Sequence, residues 1–207
     1  MHLVTLPKLE RLRMLVKWID TRDKLLLLAL CAPLYSAAHL FNAWVFQHLE
    51  YSLHISWIYL PAFLRVAYVL VLGPSWGFMA IFTGSLLLGG TNDENLLQSL
   101  VNACASALGP VLALRLFKLL KERSLQLSRG SDLVQLCLLY AMLNALIHHV
   151  AWTYLQPNQL MAVSQLPIMV TGDLVGTLFG AWVFTQVVRR LGLYREIERL
   201  SKVTTRG

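Results

Sequence analysis

The chain has 207 residues, 57% of them hydrophobic and only 14% charged, with a mean hydropathy of +0.57. Soluble domains carry about a quarter charged residues, so the composition excludes an ordinary soluble fold and points to an integral membrane protein. The net charge of +7 does not mark a nucleic-acid binder, because the basic residues cluster at the ends of apolar runs.

Residues 1–23 are basic, with Leu12, Leu15 and Ile19 at helical spacing. That pattern predicts an amphipathic helix on the cytoplasmic membrane surface. Six apolar runs follow, the third short and the sixth long beside the roughly 20 residues that a span needs. The first covers Lys24 to Phe46. It has no cleavage signature and is expected to be retained rather than removed as a signal peptide. Its small residues, among them Ala29, Ala32, Ser36 and Ala37, suit close helix approach.

The second run covers Ile55 to Gly73 and the third Ser75 to Gly90, the two joined around Gly73-Pro74. The fourth covers Leu97 to Leu120, with a possible kink at Gly109-Pro110, and the fifth Leu133 to Leu155. The sixth covers Leu160 to Val188, where Pro167 and Gly172 predict an irregular outer half. The fold class expected is all-α and polytopic. It divides into an N-terminal segment (1–23), a six-helix membrane domain (24–188) and a basic cytoplasmic tail (189–207).

Charge sets the orientation. Seventeen of the eighteen Lys and Arg residues precede or open the first run, surround the fourth-to-fifth connection, or lie in the tail. The connections at 47–54, 91–96 and 156–159 have none. The positive-inside rule then puts both termini in the cytoplasm.

The remaining basic residue is Arg65, inside the second run, and the matching acid is Asp173, inside the sixth. A charge within a membrane is costly and must face protein or water. Both runs enter from the outer side. Arg65 lies about ten residues in, roughly 15 Å at helical rise, and Asp173 falls at a similar depth. The pair is either a structural clamp or part of a cavity in which Arg65 holds an anionic group. His39, Asn42, Trp57, Asn102, Asn144, His148 and His149 fall in the same outer half and are candidate cavity-lining residues. His148 and His149 point about 100° apart on a helix, so both cannot face one site squarely.

No metal site is expected, since the histidines and the three cysteines lack ligand spacing. No cofactor is implied. No nucleophile elbow, zinc-protease motif, P-loop or dinucleotide fingerprint occurs, so no enzymatic activity is expected.

Two families resemble the chain at particular residues. Trp57-Ile58-Tyr59-Leu60-Pro61, the Gly73–Gly77 turn, Gly84 and Gly172-Asp173-Leu174-Val175-Gly176 resemble the membrane-associated sensor domains fused to bacterial diguanylate cyclases and histidine kinases. The Trp-to-Pro spacing is one residue longer here, and Ala62 stands where those domains place glycine after the proline. Leu72-Gly73-Pro74-Ser75-Trp76-Gly77, with the partial small-residue match Ala29, Pro33 and Ala37, is similar to the substrate-binding S component of energy-coupling-factor vitamin transporters. The first resemblance implies a small-molecule sensor signalling through its tail, the second a ligand-binding transporter subunit docking through its first helix. A structural subunit of a membrane complex is the third reading. Each implies a multi-pass protein of a bacterial inner membrane, with a protein partner and the lipid bilayer as surroundings and no nucleic acid.

Overall fold

The computed structural model describes residues 20–52, 55–90, 95–122, 125, 129–155 and 165–190. Expectations for the amphipathic N-terminal segment, the acidic 91–94 connection, the 156–159 turn and most of the basic tail lie outside the described residues.

These residues form an all-helical body. Its helices are α1 (Thr21–Val45), α2 (Pro61–Val71), α3 (Pro74–Gly89), α4 (Leu96–Lys121), α5 (Gly130–Leu155) and α6 (Gln165–Arg190). Between α1 and α2 lie one 3-10 turn, Gln47–Leu49, and a small antiparallel hairpin of β1 (Glu50–Ser52) and β2 (Ile55–Ser56). The helix starts are sequence-encoded. The Asp20 carboxylate accepts from the Thr21 amide at 2.6 Å, and Asn95 Oδ1 accepts from the Gln98 amide at 2.8 Å. Both use side-chain oxygens to satisfy orphan donors of a first turn. Pro61 and Pro74 open α2 and α3, where a missing N–H costs nothing. Gly73 separates the two at φ 86°, a left-handed value that glycine adopts freely.

Four helices, α1, α4, α5 and α6, are long and apolar enough to cross a membrane. The other two have 11 and 16 residues. α2 starts at Pro61 rather than at Ile55, which corrects the expected start of the second run. Residues 57–60 are held non-helically by partners distant in sequence. The Tyr59 amide donates to the Gly172 carbonyl (3.1 Å), the Trp57 amide to Leu49 (3.0 Å), and the Leu60 amide to Asn42 Oδ1 (2.8 Å). The expected irregularity near Pro167 is also corrected. α6 begins at Gln165, so Pro167 sits in its first turn, where proline is tolerated, and Gly172 lies in continuous helix.

α3 packs between α1 and α4, and α5 between α4 and α6; α2 lies against α3, α4 and α6. Eight of the 11 residues of α2 are buried, so it is the enclosed element. The main apolar core surrounds it, with Val66, Val69 and Leu70 meeting Ile81, Leu114, Leu136 and Tyr140. Small residues set the close contacts. Gly84 of α3 lies against the Ala32 carbonyl of α1, and Ser36 Oγ donates to the Gly84 carbonyl at 2.7 Å. On α6, Gly172, Gly176 and Gly180 recur every four residues. A Cβ at each would collide with the Ser56 carbonyl, the Tyr59 carbonyl and the Phe63 side chain respectively. The chain leading into α2 therefore rests directly on the backbone of α6.

Candidate functional site

Arg65 lies four residues into α2, about 6 Å of helical rise from its start, and is only 5% exposed. Each of its five N–H donors has a partner from a different side chain. Nε donates to the Tyr35 hydroxyl at 2.7 Å. Nη1 donates to Asn144 Oδ1 at 3.2 Å and to the Tyr140 hydroxyl at 3.5 Å. Nη2 donates to the Tyr59 hydroxyl and to Ser106 Oγ, both at 2.9 Å. A guanidinium has five donors in a fixed fork, so the set is complete. The Tyr59 ring also lies with its centroid 4.9 Å from Cζ, within cation–π range.

Asp173 of α6, 2% exposed, enters the network through one residue. Asn144 Nδ2 donates to Asp173 Oδ2 at 2.6 Å while Asn144 Oδ1 accepts from Arg65. Among the described residues no direct hydrogen bond or ion pair joins Arg65 to Asp173. The two charges share one site with an amide wedged between them. A carboxamide suits that place because one end accepts and the other donates.

His148 extends the network. Its Nδ1 is 2.9 Å from the Asn144 carbonyl, which can only accept, so Nδ1 carries a proton. Nε2 then faces Ser106 Oγ at 3.3 Å. In the neutral ring the Ser106 hydroxyl donates to Nε2 while accepting from Arg65. Trp152 stacks edge-on against His148 at 5.2 Å and donates to Asn102 Oδ1 at 2.7 Å.

Above this network is a cavity of about 70 Å³. Its polar wall includes His39, Tyr59, Arg65, Asn102, His148 and Asp173, and its apolar wall includes Ile55, Leu88, Trp152 and Met169. Of the residues singled out in the sequence, Arg65, Asp173, His39, Asn102 and His148 line it. Asn144 lies behind the wall as the bridge. Asn42 fixes the Leu60 amide instead, Trp57 is 45% exposed, and His149 is half-buried on another face of α5. Among the described residues no three His, Cys, Asp or Glu side chains gather as a metal site.

Tyr35, Tyr140 and Ser106 complete the arginine cage without having been singled out. The signal for them was a four-residue spacing. Tyr140, Asn144, His148 and Trp152 form one stripe down α5, Asn102 and Ser106 one on α4, and Tyr35 and His39 one on α1. On an apolar helix such a stripe faces one way and must be buried against protein.

Comparison of the chain with protein-family models, with curated proteins and with solved structures returns no match.

Proposed function

We propose that the chain is a multi-pass protein of a bacterial inner membrane that binds a small molecule in the cavity above Arg65 and Asp173 and acts as a sensory protein. All six helices are membrane-embedded in this reading, with both termini cytoplasmic and the cavity opening outward. The arrangement of the basic residues supports the orientation. The shortness of α2 supports embedding inside protein, since a helix that stops early is tolerated at membrane depth only where protein surrounds it.

The observation that carries the reading is the network itself. Five helices each contribute a polar side chain, Tyr35, Arg65, Ser106, Asn144 and Asp173, to one buried cluster at the floor of a cavity. A ligand that alters any member shifts the balance among all five helices, to the extent that it binds two arrangements unequally. α6 carries Asp173 and runs unbroken to Arg190, which gives the change a route along the molecule.

The test is native mass spectrometry of the gently purified protein beside its Ser85→Leu variant, which fills the cavity from the α3 wall. A co-purified small molecule that is absent from the variant is expected. A stoichiometric membrane protein with no small molecule would replace this reading with that of a complex subunit, and a transporter ATPase would move it to the S-component resemblance.

A further inference from the structure

The cavity has an uneven chemistry, and that unevenness restricts what fits. Arg65 lines it, yet all five of its donors are already used by Tyr35, Tyr59, Tyr140, Ser106 and Asn144. An anion would find no free N–H on the guanidinium and would meet the Asp173 carboxylate. Asp173 is the opposite case. Its one side-chain hydrogen bond among the described residues is at Oδ2, from Asn144, so Oδ1 has no protein partner while the residue is 2% exposed and lines the cavity. Ser85, on the α3 wall of the same cavity, has a buried hydroxyl with no hydrogen-bond partner. The Ser85 hydroxyl is a buried polar atom left unmet, which is costly in a low-dielectric surrounding, and Asp173 Oδ1 is a carboxylate oxygen that no protein donor among the described residues occupies.

Charge restricts the occupant further. Arg65 and Asp173 balance one another through Asn144. An ion of either sign would leave one unmatched charge in a buried site, where desolvation outweighs attraction unless a partner is at hand. Size adds a bound. The cavity of about 70 Å³ is under half of the roughly 150 Å³ that admits benzene, so the enclosed part of the occupant has only a few heavy atoms. Ile55, Leu88, Trp152 and Met169 offer it an apolar wall.

We propose that the cavity takes a small uncharged molecule, or the uncharged end of a longer one, that donates an N–H or O–H to Asp173 Oδ1, accepts from the Ser85 hydroxyl and rests an apolar edge against Trp152 and Met169. The proposal rests on the small-molecule reading above and narrows it to a hydrogen-bond-donating, uncharged class. It replaces the expectation that Arg65 grips an anionic group.

Three isosteric probes separate the charge classes: acetamide (neutral), acetate (anionic) and acetamidinium (cationic). Saturation-transfer NMR with the protein in lipid nanodiscs at neutral pH reads each at millimolar concentration, the range that so small a ligand permits. Transfer to acetamide several-fold above that to either ion is expected. It should fall several-fold in Ser85→Ala, a change that removes an unmet hydroxyl and leaves the fold intact, and vanish in Ser85→Leu. Transfer to acetate or acetamidinium equal to or above acetamide, and lost in Ser85→Leu, would overturn the uncharged class while leaving the cavity as a binding site. An acetamide signal unchanged in both variants would place that binding elsewhere and overturn the proposal, as would transfer to none of the probes. A charged co-purified molecule that is lost from Ser85→Leu in the native mass spectrum would also overturn the uncharged class and uphold the small-molecule reading.

Discussion

α1 and α2 are neighbours in sequence and opposites in burial. α1 has 25 residues and only three of them are buried, Ala32, Tyr35 and Asn42, whereas α2 has 11 and buries eight, Arg65 included. α1 exposes Leu26, Leu30 and Leu34 at more than half of their surface, and Trp44 at 73%. Its length and apolar face suit lipid, where every backbone group must be satisfied within the helix. α2 is short because protein, not lipid, surrounds it. Its flanking backbone is met by Asn42, Gly172 and Leu49, and its charge by three phenols, a serine and an amide. In this pair length separates the helix that faces outward from the one that protein encloses.

The sharpest way to break that contrast is to remove the charge from the enclosed helix. Arg65→Ala leaves Asn144 and Asp173 buried without their cation, and a loss of about 3–5 kcal/mol is expected, measured by reversible unfolding in mixed micelles. Arg65→Ala combined with Asp173→Ala should recover part of that loss. If the double variant is no more stable than the single one, Asn144 does not couple the two charges.

The next step places an arginine on the outward helix. Leu30→Arg sits mid-helix at a position 69% exposed, and should cost about 2.5–3.5 kcal/mol in an insertion assay. Free insertion of that variant would mean that this face of α1 is not against hydrocarbon.

A smaller effect is expected from Tyr35→Phe. This variant keeps the ring and removes the hydroxyl that accepts from Arg65 Nε at 2.7 Å. A hydrogen bond to a charged group is worth about 1.5–3 kcal/mol, and the unfolding midpoint should fall accordingly. Leu30→Ala closes the series, with an expected change within about 0.5 kcal/mol. A large loss there would show that Leu30 packs on another protein chain.

How much of this is legible in the sequence differs between the two helices. The long helices announce themselves, since α1, α4, α5 and α6 are long runs whose composition alone identifies them. Arg65 and Asp173 stand out for a physical reason as well, as lone charges in apolar runs. What connects them does not stand out. Asn144 is one of several asparagines, and its choice as the bridge depends on how α5 is rotated against α2 and α6. Hydropathy places the start of α2 too early because Ile55, Trp57, Ile58 and Tyr59 are as apolar as a span. Their extended path is set by bonds to Asn42 and Gly172, which are distant in sequence. The glycine track of α6 is a four-residue spacing in the sequence, but Gly180 lies outside the short Gly172–Gly176 motif.

That track governs how motion can pass through the molecule. Side chains between two packed segments act as cushions, absorbing small shifts by changing rotamer. Gly172 and Gly176 leave no such cushion beneath Ser56 and Tyr59, whose carbonyls lie against the bare backbone of α6, and the Tyr59 amide is tied to the Gly172 carbonyl. α6 and the Tyr59 strap therefore behave as a linkage without slack. A displacement of α6 reaches the Tyr59 backbone directly, in the residue whose hydroxyl accepts from one arm of the Arg65 guanidinium.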